Sequence, residues 1–170
     1  MEQKVTPVWM KALVICLISI VFILVTYFAG QLQNRALSWV GNIIFFAGII
    51  WSCIQYAKQM NANVTFGNVF AHGFKVSAAY AAIMAIYTIV AIKFIYPELV
   101  DLSLDTARKD MEKGGKMTDQ QITQALDITR RFFVVFGVAA VILFSAIVGA
   151  IASLIGAAVA KKNPNPLQEQ

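Results

Sequence analysis

The chain is predicted to be an all-α membrane protein, a four-transmembrane-helix antiparallel bundle with an extramembrane helical hairpin between its third and fourth helices. Three observations predict it. Hydrophobic residues make up 59% of the 170 positions and charged ones only 14%, against about 25% charged in a soluble domain, so lipid is the solvent for most of the chain. The apolar residues gather into four runs, 8–29, 36–57, 70–96 and 132–160, each about long enough for the roughly 20 helical residues that cross a bilayer. Most of the acidic side chains lie in one stretch, 97–131, between the last two runs. Residues 1–170 are thus read as a single integral membrane domain.

Taken in order, Thr6-Pro7 is a cap followed by a first-turn proline for the first span. Trp9 and Tyr27 lie near its two ends as interfacial anchors, and Lys11 is expected to snorkel, which leaves residues 12–29 as 18 uncharged positions. A cleaved leader needs small residues before the cut, and Tyr27 stands at that place, so the segment is read as a retained anchor. Residues 30–35 are a short connection that returns the second span beside the first. Trp39 and Tyr56 mark the borders of that span. Its strongest polar side chains, Asn42 and Gln55, are read as packing glue, each able to hydrogen-bond across helices for about 0.6 kcal/mol. Cys16 and Cys53 sit in separate apolar runs, too few for a disulfide framework or a zinc site.

Residues 58–64 form the next loop, and Thr65 caps the third helix. Phe66, Phe70 and Phe74 recur every four residues there, while Asn68, His72, Lys75 and Ala79 make another stripe, so the helix is expected to begin at the interface. His72, the only histidine, has no cluster of metal-ligand residue types beside it and is expected to meet headgroups or water. The uncharged span proper is 76–92, flanked by Lys75 and Lys93 as snorkelling ends. Asn63-Val64-Thr65 matches the glycosylation pattern, a three-residue match of little weight.

Pro97 stops the third run and suits a helix start. Val100, Leu104, Ala107 and Met111 then recur at helical spacing, and Gly114-Gly115 ends that helix. Thr118-Asp119-Gln120-Gln121 reads as a capping box. The new helix carries Ile122, Ala125 and Leu126 straight into the last span, with Asp127 placed to pair with Arg131 one turn on. The stripe either closes the hairpin on itself or presents a groove, which makes Val100, Leu104, Met111, Ile122 and Leu126 the candidate partner contacts. In the fourth span Ser145, Gly149, Ser153 and Ala157 repeat every four residues, a candidate helix-packing face, with Ala152, Gly156 and Ala160 in the adjoining row. Small side chains let helices approach closely in lipid, here within the fold in preference to between copies. Lys161 and Lys162 complement the helix end, and Asn163-Pro164-Asn165-Pro166 stops it.

The net charge of +5 has no basic stripe with interleaved aromatics, which argues against nucleic acid. Gly114-Gly115-Lys116 lacks the spaced glycines and the Ser or Thr of a phosphate-binding loop. The acids are confined to the chain ends and the hairpin, away from any nucleophile, base or metal set, and no cofactor is expected. Six basic residues fall on the side of the termini and eight on the other; the first helix, flanked by Lys4 and Lys11, favours cytoplasmic termini. The leading expectation is a non-enzymatic scaffold or accessory subunit whose partners are the bilayer and another envelope membrane protein or a second copy. The alternative is a small transporter or channel using Asn42, Gln55, Ser77 and Thr88. A third, an interfacial enzyme using His72 and Lys75, ranks last.

The whole chain resembles a family of small bacterial membrane proteins known as domain of unknown function four-one-nine-nine. The resemblance rests on the four spans, on Thr65-Phe66-Gly67-Asn68-Val69-Phe70 leading to Gly73-Phe74, on Gly114 to Ile122 in the hairpin, and on the small-residue end with Lys161-Lys162. Asn68 stands where the family pattern is expected to carry an acid. The resemblance implies the cytoplasmic membrane of Gram-negative bacteria and supplies no activity and no catalytic residues.

Overall fold

The structure, a computed structural model, describes residues 5–31 and 34–162. The expected 163–166 stop and part of the first connection lie outside them. The described residues form five α-helices and no strand: α1 (Val8–Phe28), α2 (Arg35–Gln59), α3 (Phe66–Val90), α4 (Leu99–Gly114) and α5 (Asp119–Val159). A π-helical turn, Ala91–Ile95, continues α3. Four of these segments are long and apolar enough to cross a membrane: Val8–Phe28, Arg35–Gln59, Phe66–Ile95 and Asp119–Val159.

The helix ends follow from local chemistry. Asn34 caps α2, its side chain accepting from Ala36 N–H at 3.0 Å, and Thr65 Oγ1 accepts from Asn68 N–H at 3.2 Å at the start of α3. Thr118 and Gln121 exchange the two bonds of a capping box, at 2.9 and 3.4 Å. Gly115, at φ +60°, closes α4 in the left-handed conformation that glycine adopts without a Cβ penalty.

Two expectations are corrected. Thr6 does not cap α1, whose N-cap is Pro7; its Oγ1 accepts from Gln59 Nε2 at 2.7 Å and its N–H donates to Gln59 Oε1 at 3.2 Å, tying the start of α1 to the end of α2. Pro97 does not open α4, which begins at Leu99. The proline ring disfavours helical geometry at the preceding residue, and Tyr96 turns out of the helix at φ −142°, ψ 66° after bonding back to Ala91 O at 2.9 Å.

The helices divide into two compact units, Met1–Met84 with Ile142–Gln170, and Ala85–Val141. In the first, large apolar side chains face outward, among them Leu17, Ile18, Val21 and Ile147, while Ser52, Ser77, Ser145 and Ser153 are buried. That inversion is expected where lipid replaces water, because apolar contact gives helices little reason to associate and close approach of small residues does. Gly73 and Gly156 both face Cys53, and a Cβ on either would collide with it. In the second unit Leu104, Ile122 and Leu126 are buried against one another, with Val100, Ala107 and Met111 around them.

α5 runs unbroken for 41 residues. At 1.5 Å per residue that is about 62 Å, roughly twice the hydrocarbon thickness, so a single helix supplies both the fourth apolar run and a charged segment outside it.

Candidate functional site: a buried lysine and histidine

Lys11 sits on the inward face of α1 with Ala12, Ile15, Cys16 and Ser19, and only 2% of it is exposed. His72 sits on the inward face of α3 beside Gly73, Val76 and Ser77 and is 7% exposed. Lys11 Nζ lies 3.2 Å from His72 Nε2 and donates to Ser52 O of α2 at 3.4 Å. The same Nζ is 5.8 Å above the Tyr56 ring. The Tyr56 ring in turn stacks on His72 at 4.2 Å and 7°. Cys53 Sγ donates to Val69 O at 3.8 Å next to this group, and Ser52 Oγ is buried without a hydrogen-bond partner among the described residues.

The expectation that Lys11 snorkels and that His72 is solvated is therefore corrected. A buried ammonium costs several kcal/mol unless its charge is met, and here a carbonyl, an imidazole nitrogen and an aromatic face meet it. At 3.2 Å the two nitrogens share one hydrogen bond: either the ammonium donates into Nε2 of an imidazole protonated at Nδ1, or an imidazole protonated at Nε2 donates to the neutral amine. The first arrangement keeps both remaining ammonium protons for the Ser52 carbonyl and the Tyr56 face. Chemically, the arrangement can store and pass a proton. No group of three or more His, Cys, Asp or Glu able to hold a metal ion occurs among the described residues.

The signal for this site was present in the sequence. Lys11, Ile15 and Ser19 share one helix row and Ala12 and Cys16 the next, opposite the bulky Leu13, Leu17 and Val21. In lipid the row of small and polar residues is the one that turns inward.

The other candidate residues are placed as follows. Ser145, Gly149, Ser153 and Ala157 are all buried in the first unit. Ser77 donates to Ser145 O at 2.7 Å, and a Cβ on Gly149 would overlap Ser77. Asn42 and Gln55 are half-buried and Ser77 is engaged with Ser145, while Thr88 belongs to the second unit. Lys75 is exposed, and the lysine that meets His72 is Lys11. Of the candidate partner contacts, Leu104, Ile122 and Leu126 are buried on one another and Val100 and Met111 pack against them, so the stripe closes on itself. The ion pair of this region joins Arg130 to Asp101 between α5 and α4, in place of the expected Asp127 to Arg131 pair along one helix.

Four long apolar helices with a polar, small-residue interior define a multi-pass helical membrane protein. The chain belongs to the family described as "Protein of unknown function (DUF4199)", whose model matches residues 11–162. No curated protein and no solved structure matches it significantly.

Proposed function

We propose that the protein is a non-enzymatic scaffold or accessory subunit of the bacterial inner membrane, with cytoplasmic termini. Its four spans form an antiparallel bundle, and α4 with the first turns of α5 forms a helical hairpin that meets another envelope membrane protein or a second copy. The observation that carries this reading is that the apolar stripe of the hairpin is spent on its own closure, which leaves a charged outer face. Asp101, Asp105, Arg108, Asp127 and Arg130 surround Leu104 and Leu126 in a hollow of about 220 Å³ there. Alternating charges of this kind give a protein partner register and specificity more than affinity.

Photo-crosslinking from position 109 in native membranes tests it. A discrete adduct lost on Arg108→Glu with Asp105→Lys is expected, and an adduct pattern indifferent to those charge reversals removes the scaffold reading.

A second reading, a small transporter or channel, is favoured by the Lys11 and His72 pair, since ionisable groups inside a membrane bundle commonly mark ion or proton pathways. Proton or solute flux in proteoliposomes that Lys11→Met and Asn42→Leu both abolish would establish it in place of the scaffold.

A further inference from the structure

Charge is distributed very unevenly along this chain. The Ala85–Val141 unit holds seven basic and seven acidic residues. The described residues of the other unit hold six cations, Lys11, Arg35, Lys58, Lys75, Lys161 and Lys162, and no Asp or Glu at all. Lys11 is satisfied internally, by Ser52 and His72. Lys162 donates to Ala157 O and lies 5.2 Å over the Phe66 ring, so it does the work of capping α5. Of the four left exposed, Arg35, Lys58, Lys75 and Lys161, two share a groove: Lys58 and Lys161.

These two lysines line one groove of about 400 Å³, formed by the end of α2, the loop after it and the end of α5. Its floor is Ile54, Ala57 and Val159, and Asn61 stands beside the lysines. Both helices run toward the lysine end and stop there, so the groove is apolar on the side of the membrane interior and cationic at the membrane surface. A phospholipid has that same polarity along its length.

The helix C-termini do not spoil the site for an anion. Each would contribute roughly half a negative charge, but three of the last carbonyls of α2 are occupied, and Ala157 O of α5 accepts from Lys162. Met60 N–H donates to Tyr56 O at 3.1 Å, Ala62 N–H to Ala57 O at 2.8 Å and Asn61 N–H to Lys58 O at 3.0 Å. Asn61 and Ala62 adopt left-handed φ values of 52° and 62° to make those bonds. With Lys162 counted, three ammonium groups stand against roughly one negative charge from the two helix ends. The absence of a carboxylate from this unit's described residues also selects the headgroup, because a choline or ethanolamine cation would find no counter-charge here.

From this we infer that the groove lined by Lys58, Asn61 and Lys161 binds an anionic phospholipid, its phosphate between the lysines and one acyl chain along Ile54, Ala57 and Val159. The inference rests on the multi-pass reading of the chain and is independent of the scaffold and transporter alternatives.

The test uses the full-length protein in a neutral detergent, with phosphatidylglycerol and phosphatidylcholine of identical chains added at increasing concentration. Retention in native mass spectrometry is read together with the rise in unfolding temperature. Phosphatidylglycerol is expected to bind and stabilise, and phosphatidylcholine not to. At about a fivefold effect per surface lysine, Lys58→Gln with Lys161→Gln should weaken phosphatidylglycerol binding by about thirtyfold. Lys58→Arg with Lys161→Arg should retain binding and so separate lost charge from lost folding. Lys113→Gln with Lys116→Gln, in the other unit, should change nothing. Equal loss in that control pair would reduce the effect to general surface charge and overturn the inference. So would unchanged binding in the glutamine pair, or displacement of the lipid by millimolar inorganic phosphate.

Discussion

Lys11 Nζ on α1 lies 3.2 Å from His72 Nε2 on α3, with the Tyr56 ring stacked on the histidine and the Ser52 carbonyl behind the lysine. Each supplies the other with a buried hydrogen-bond partner, so removing one leaves the other short of a bond. His72→Phe alone should destabilise the protein by about 1–3 kcal/mol, the cost of an unsatisfied buried polar group. Adding Lys11→Met should recover most of that loss, because an apolar pair of similar volume is often neutral or stabilising where a charged group was buried. Unfolding in a mixed-detergent titration of the two single variants and the double variant measures the coupling; additive losses would mean that the two residues do not act as a pair.

Gly149 on α5 is the position against which Ser77 of α3 packs while donating to Ser145 O. Gly149→Val should cost about 1–3 kcal/mol through overpacking and loss of that bond. Ile147→Val, on the exposed face of the same helix, should change stability by under about 0.5 kcal/mol. The two unfolding curves in the same detergent decide it.

The contact between α4 and the start of α5 should be held by apolar packing far more than by its ion pair. Ile122→Ala removes buried side-chain volume from a three-residue cluster and should cost about 2–4 kcal/mol. Asp101→Asn removes an exposed pair with Arg130, its side chains 65% and 59% exposed, and should cost no more than about 1 kcal/mol. Amide exchange over α4 should accelerate strongly in the first variant and barely in the second.

Thr118→Ala deletes half of a reciprocal capping pair and should cost about 1 kcal/mol. The loss should be local: faster amide exchange in the first turn of α5, with the rest of that helix unaffected.

The four spans were legible because apolar run length is nearly a direct measurement of helix length in lipid. The caps at Thr65 and Thr118 were legible too, since each depends on residues only three apart. What the aromatic periodicity of α3 concealed was which of its faces turns inward. The Phe66, Phe70 and Phe74 stripe reads as a core by the habits of soluble helices, yet Phe66 and Phe74 are 45% and 41% exposed while His72 is enclosed. Lys11 was misplaced for the same reason: a lysine near a span end snorkels unless a partner on another helix holds it, and that partner lies 61 residues away in the chain. Pairing of Arg130 with Asp101, 29 residues apart, was likewise invisible to a rule that looks one turn ahead along one helix.

The absence of acids among the described residues of the larger unit has a practical corollary for chemical mapping. Carbodiimides and glutamate-specific proteases find no target among its described residues, whereas the Ala85–Val141 segment offers seven carboxyl groups. Apart from Glu2, Glu169 and the terminal α-carboxyl, every carboxyl-directed label should land in that one segment. Applied separately to intact cells and to inverted vesicles, such a membrane-impermeant reagent would report which compartment the segment faces, with no tag or engineered cysteine required.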